Sequence, residues 1–447
     1  MDTTLAPHAN EALAYTPEET TRTYRKIGWR IMPFLLLCYI VSFLDRVNLS
    51  FAKLQFMQDL GFSDAVYGFG AGIFYLSYVI FEVPSNLYMQ RVGARATLMR
   101  IMVLWGAITA FMFLVTTPTQ LYIARFALGA AEAGFFPGVI LYLTYWFPSA
   151  YRARMMSIFL MGIPVSGLLG GPIAGWIMHD LAGLFGLKGW QLLFVLEGLP
   201  AVALGVAAWF VLGENVKAVQ WLSPREKAIV TSQMDLEQRQ PVVHARTWMS
   251  EVLNDPRMYA AILGYFAITC ATVAISFWVP TIIKTLEVDD VRVIGWLSAL
   301  PYLAATIGLW AIGRHSDRTQ ERRWHTALSL IASAIGFMLL GQVSHSLPLT
   351  LAMLAVAATG LYGAIPVFWT IPTTYLSRTA APGGIALISS IGCLGAFSST
   401  AIIGAVKSLT GSLNMAMGAV GLIMVAAAVI LLIAFPRSLL SKPRENA

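Results

Sequence analysis

The 447-residue chain is 57% hydrophobic and only 12% charged, with a mean hydropathy of +0.68. About a quarter of an ordinary soluble sequence is charged, so a water-soluble domain is excluded: its surface could not hide this much apolar side chain. The net charge of +7 does not point to nucleic acid, because Lys and Arg fall in short loops between apolar runs, where membrane topology accounts for them.

In chain order, the stretch to about Thr23 is polar and has no small-residue cleavage site after an apolar segment, so it does not read as a signal peptide. Apolar runs of about twenty residues, enough to cross a ~30 Å hydrocarbon layer as a helix, follow at roughly 30–50, 66–88, 97–115, 120–143, 154–177 and 190–212. Residues 213–257 then form a long polar segment, in which Ser223-Pro224-Arg225-Glu226 has the capping-box pattern with proline at the first helical position, predicting a short surface helix. Six further spans are predicted at roughly 258–283, 293–313, 325–344, 349–375, 383–406 and 412–435. The expected organisation is a cytoplasmic N-terminal segment (1–29), a six-helix bundle (30–212), a cytoplasmic linker (213–257), a second six-helix bundle (258–435) and a cytoplasmic tail (436–447).

Orientation follows from the basic residues. With both termini and the even-numbered loops on one side, the other side keeps only Lys53, Lys188, Lys284, Arg292 and Lys407, while Arg46 and Arg125 lie inside spans. That asymmetry predicts cytoplasmic termini. Cys38, Cys270 and Cys393 sit in apolar runs with no metal-ligand or disulfide pattern, and the six His fall in loops or at helix ends. No Gly-rich phosphate loop, catalytic triad or zinc cluster is present, so an enzyme is not expected.

An internal repeat supports two halves. The turn after the second span reads Asn86-Leu-Tyr-Met-Gln90-Arg91-Val-Gly93-Ala-Arg95, and that after the eighth reads Gly313-Arg-His-Ser-Asp317-Arg318-Thr-Gln-Glu-Arg322. This pair resembles the loop motif Gly-x-x-x-Asp-Arg-x-Gly-Arg of the major facilitator superfamily, with Asn86 and Gln90 replacing Gly and Asp in one copy and Gln320 replacing Gly in the other. Asp45-Arg46-Val-Asn48, Phe81-Glu82-Val-Pro84, Arg125-Phe-Ala-Leu-Gly129-Ala-Ala-Glu132-Ala-Gly134, Phe194-Val-Leu-Glu197-Gly198-Leu-Pro200, Phe368-Trp369-Thr-Ile-Pro372 and Ile391-Gly392-Cys393-Leu-Gly395 are similar to its anion:cation symporter branch. The resemblance implies an all-α fold of twelve transmembrane helices in two pseudo-symmetric halves, alternating access, and proton-coupled import of carboxylates such as galactonate, tartrate, phthalate or hydroxyphenylacetate. It implies gating roles for Arg91, Arg95, Asp317, Arg318 and Glu82. The proton is the expected coupling ion, with no cofactor or metal; the expected partners are a small organic anion and the lipid bilayer of the cell inner membrane, the protein acting as a monomer.

The charged residues support a site independently. Four acids (Asp45, Glu82, Glu132, Glu197) and two arginines (Arg46, Arg125) fall inside spans, all in the first half. Each costs on the order of 2.5–3.5 kcal/mol at a helix centre, so six must face protein or water. Arg125 and Glu132 are two turns apart on one helical face. Guanidinium offers paired donors and never loses its proton, which suits Arg46 and Arg125 to substrate binding. Burial disfavours a charged carboxyl and a nearby arginine favours it, which suits Asp45 and Glu132 to proton coupling; the resemblance implies the same roles. The competing reading is a structural ion pair between Asp45 and Arg125. Glu82 and Glu197 are expected to satisfy backbone or loop arginines, and Gly167-x-x-x-Gly171-Pro172-x-x-Gly175 to serve close helix packing rather than antiport.

Across the cavity that the resemblance implies, Tyr265, Thr269, Trp278, Tyr362, Trp369, Thr373 and Tyr375 supply aromatics and hydroxyls, and Ser389 and Cys393 occupy positions where that branch often has asparagine. Tyr362, Trp369, Ser389 and Cys393 are expected to contact substrate, and the apolar Cys393 wall favours a compact or aromatic carboxylate over a sugar acid. A sensor on a transporter fold, or an exporter of organic anions, would carry the same motifs.

Overall fold

The computed structural model describes residues 15–238, 253–376 and 381–436. The N-terminal segment before Tyr15, most of the linker and the C-terminal tail lie outside the described residues, as do the side chains of Thr373 and Tyr375. The described chain is helical with no strand, and eleven of its helical segments are long and apolar enough to cross a membrane. Arg323–Leu339, with 17 residues, stands ninth in order and brings the described spans to twelve, packed against Leu347–Tyr375 and Leu413–Ala434.

The first half begins with α1 (Pro17–Leu60), whose 44 residues run about 66 Å, twice the hydrocarbon thickness. Thr16 and Glu19 form a capping box with Pro17 at the first position, and Gly61, at φ 67°, ends the helix. The apolar run at 30–50 is therefore only its middle. α2 (Asp64–Val92) and α3 (Ala94–Phe111) follow. The fourth span is broken: α4 (Pro118–Glu132) stops before Gly134, at φ 90°, and α5 (Phe135–Trp146) restarts. A Cβ at Gly134 would overlap Ser85, so the break is also a close approach to α2. The fifth is interrupted at Met161 between α6 (Ser149–Leu160) and α7 (Gly162–Asp180), and α8 (Gly189–Val211) completes the half.

In the linker, α9 (Pro224–Gln238) starts with reciprocal bonds between Ser223 and Glu226. It docks on the start of α1 through Lys26–Glu226 at 2.8 Å and Arg225–Glu19 at 2.9 Å. The second half comprises α10 (Pro256–Lys284), α11 (Val291–Thr319), α12 (Arg323–Leu339), α13 (Leu347–Tyr375), α14 (Ala381–Thr410) and α15 (Leu413–Ala434).

The halves meet chiefly along α2 against α14 and α7 against α11. Both seams lie at the end remote from α9, where Gly68 sits on Gly404 and Gly171 on Gly295, backbone to backbone. The Gly167, Gly171 and Gly175 series lies against Tyr302, Gly295 and Val291–Arg292, so its role here is close packing.

Candidate substrate and coupling site

Helices of the first half bring their charges together between α1 and α4. Arg46 on α1 and Glu132 at the end of α4 form an ion pair: Nε and Nη2 donate to Oε1 at 2.9 and 2.7 Å, and Ser42 Oγ donates to the same oxygen at 2.7 Å. Glu132 stands at the carbonyl end of its helix, where the dipole disfavours a negative charge, and the guanidinium offsets that cost. Glu132 is 1% exposed, whereas the Arg46 side chain keeps 19% of its surface open. The guanidinium also lies over Phe43, Phe74 and Tyr78, 5.1 to 5.6 Å from their ring centres.

Asp45, one position earlier, turns to other partners. It accepts from Asn48 Nδ2 at 2.9 Å and Thr109 Oγ1 at 2.7 Å. Arg125 is buried, donates through Nε to the Gly70 carbonyl at 3.3 Å, and lies 4.7 Å over Phe74, while its Nη2 has no hydrogen-bond partner. Asp45 and Arg125 form no ion pair within 4.0 Å; the pair made here is Arg46–Glu132. Glu82 is half-buried with Arg46 as its charged neighbour, not a loop arginine.

The opposite wall comes from α14, α13 and α10. Cys393, bonded to Ser389, is partly exposed and within electrostatic reach of Arg46 and Glu82. Tyr265 neighbours Cys393 and packs on Trp369 and Phe368, with ring centres 4.7 and 5.8 Å apart. Thr269 binds the Gly392 carbonyl at 2.6 Å. Tyr362 is 5% exposed and turned to Tyr302, 6.1 Å between rings. The structure thus brings Cys393 and Ser389 to the charge cluster, places Trp369 beside them through Tyr265, and packs Tyr362 between helices.

The arginine-bearing turns lie at the end nearer α9. Arg91 is exposed, and Arg95 stacks 4.1 Å over Trp209. Asp317 bonds Arg322 at 2.6 Å, and Arg318 is exposed. His315 and His325 meet at 2.6 Å, with Glu321 2.9 Å from the second ring, a cluster that sequence spacing did not reveal.

A larger omission is Lys53. Counted by the apolar run, it falls in a loop; in the fold it lies within α1, 4% exposed at the closed end. Its Nζ stands 2.9 Å from Asp64, 3.7 Å over Trp278 and 4.2 Å over Tyr67, and Lys407 of the second half reaches Asp64 at 3.1 Å. Asp64 therefore links a lysine from each half. Tyr67 adds a hydrogen bond to the Phe277 carbonyl at 2.9 Å. The signal was legible in principle: Leu49, Ala52, Lys53 and Phe56 continue the helical period, and the first breaker is Gly61.

Two helical bundles that meet at one end around buried charges have the architecture of a membrane transporter. The chain belongs to the Major Facilitator Superfamily, whose family model matches residues 35–400. It is 42% identical over 400 residues to NicT of Pseudomonas putida, described as a metabolite transport protein, covering 89% of this chain and 91% of that one. It is 41% identical over 397 residues to an Agrobacterium vitis protein described as a tartrate transporter, covering 89% and 88%. In fold it is similar to a D-xylose-proton symporter, with a TM-score of 0.72, 15% identity, and coverage of 92% of this chain and 98% of that one. It is a multi-pass membrane transporter.

Proposed function

We propose that this transporter carries a small organic carboxylate inward with protons. The observation that supports the reading best is the Arg46–Glu132 pair: a partly open guanidinium held by a buried, titratable carboxyl. With Glu132 ionised, Arg46 is occupied. A proton on Glu132 cancels that attraction and frees both guanidinium donors for a carboxylate, so proton and anion load together. Arg125 supplies the second cation, with Nη2 already unpartnered, and Asp45 the second acid. Trp369, Ser389 and Cys393 shape the site for the body of the anion, and the tartrate transporter among the relatives agrees with a carboxylate.

Both termini and the linker at 213–257 face the cytoplasm of the inner membrane in this reading, which makes the end closed by Lys53, Asp64 and Lys407 the outer gate. Arg91, Arg95, Asp317, Arg318 and Glu82 then serve the inner gate, and one chain is the working unit without a cofactor. Reporter fusions to each terminus test the orientation. The transport test is uptake of labelled tartrate, phthalate, benzoate and galactonate into liposomes holding the purified protein, with and without an inside-alkaline pH gradient. Accumulation of one acid that collapses with a protonophore supports proton symport; accumulation indifferent to the gradient refutes it.

A further inference from the structure

Glu197 is a buried acid that the coupling scheme leaves unused. It lies on α8 next to Gly198, which packs against Gly106 and Ala110 of α3, one residue from the Thr109 that donates to Asp45. Asn48 of α1 donates to Asp45 Oδ1 at 2.9 Å and is also a side-chain neighbour of Glu197. Asp45, Asn48 and Glu197 are only 2%, 2% and 6% exposed. Oε2 of Glu197 has no hydrogen-bond partner, and among the described residues no cation lies within ion-pair distance of either acid. The groups facing Glu197 are Asp45 and Asn48 from α1; Thr109 of α3 and, electrostatically, Arg125 and Glu132 of α4 act on Asp45. The ionisable residues of α7, His179 and Asp180, lie at its far end.

Two carboxylates beside one carboxamide, with Arg125 beyond ion-pair distance of Asp45, are costly together: each charge is desolvated and each repels the other. One amide can donate an N–H to each acid, yet it cannot neutralise either. We propose that Asp45, Asn48 and Glu197 form a single proton store, in which the two carboxyl groups hold one proton between them and Glu197 is a further proton-holding residue of the coupling site. This rests on the proton-symport reading above. Asp45 then releases the last proton of the pair only against a second carboxylate, so it stays loaded to higher pH than it would alone.

The test is the pH dependence of gradient-driven uptake, in liposomes, of whichever panel acid is transported, comparing wild type with Glu197→Gln and Glu197→Asp. Glu197→Gln keeps the shape but removes the repulsion, so the midpoint moves toward acid by about one pH unit; Glu197→Asp keeps the wild-type midpoint. An unmoved midpoint in Glu197→Gln overturns the store, as does an equal shift in Glu197→Asp. If Glu197→Gln does not insert, infrared titration of the carboxyl band in wild type and Asp45→Asn carries the same test. Asp45→Asn should move the pH at which the remaining band disappears, and an unmoved titration overturns the store. Uptake still driven by protons in both Glu132→Gln and Asp45→Asn would instead refute the coupling reading itself.

Discussion

Replacing Glu132 by glutamine removes the charge from the one oxygen on which Ser42 Oγ, Arg46 Nε and Arg46 Nη2 converge. A hydrogen bond to a charged group is worth roughly 1.5–3 kcal/mol net; Arg46 stays charged, and the amide oxygen, shared with Ser42, keeps one of its two bonds and loses the other. The competition that an incoming carboxylate must overcome for Arg46 therefore falls by about 2 kcal/mol, or ~30-fold in affinity. Glu132→Gln should bind the transported acid up to that much more tightly. It should exchange labelled for unlabelled acid across the liposome membrane and fail to accumulate it under a pH gradient. Titration calorimetry of the solubilised protein gives the affinity, and paired counterflow and gradient-driven uptake give the rest. A variant that binds more weakly and still accumulates would refute the argument that Glu132 holds Arg46 in check.

Arg46→Lys and Arg125→Lys keep a cation but lose the paired planar donors, so each should weaken binding of the transported acid by roughly 1.5–3 kcal/mol; unchanged affinity in both would mean that neither touches it. At the α9 dock, burial pushes the Glu226 carboxyl up, but hydrogen bonds from Lys26 and the Ser223 amide outweigh this and hold it below the usual range. Its contribution to docking is then present above the unfolded value of about 4.3 and lost as pH falls through the lower folded value. Amide exchange in α9 should accelerate only below about pH 4 and show no such step in Glu226→Gln; a step persisting in that variant would assign it elsewhere. Because the partly exposed Cys393 and Trp369 present little to bond substrate hydroxyls, benzoate-like or phthalate-like acids should outcompete galactonate at equal concentration, and the reverse order would show that the first-half charges alone set the substrate class.

Much of this architecture is legible as periodicity. Apolar runs mark where helices cross the bilayer, and the spans placed near 258–283 and 412–435 differ by only a residue or two from α10 and α15. The same signal is silent where a helix continues into polar sequence. The capped start at Thr16 and the stop at Gly61 make α1 far longer than its apolar core and carry Lys53 from an assumed loop to a buried position. The break after Glu132 also escaped, because an Ala-Gly step in an apolar run reads equally as helix; only the approach of Ser85 makes the break visible. Within the site, spacing put Arg125 and Glu132 on one face but could not say how α1 is rotated against α4. That rotation decides that Arg46, not Arg125, takes Glu132.

The glycine seams at the closed end offer a practical handle on the cycle. Gly68 on Gly404 and Gly171 on Gly295 leave no room for even a methyl group between the two bundles. Adding one strains the closed seam: at Gly171 it meets Gly295 and Phe51, and at Gly404 the backbone of Asp64 and Gly68, away from the arginines and acids of the binding site. Overpacking costs roughly 1–3 kcal/mol, which changes a two-state ratio by about five- to 150-fold. Gly171→Ala or Gly404→Ala should act as a wedge that enriches the oppositely facing conformer, making that half of the transport cycle accessible to crystallisation or to conformation-selective antibodies while leaving the binding chemistry as it is.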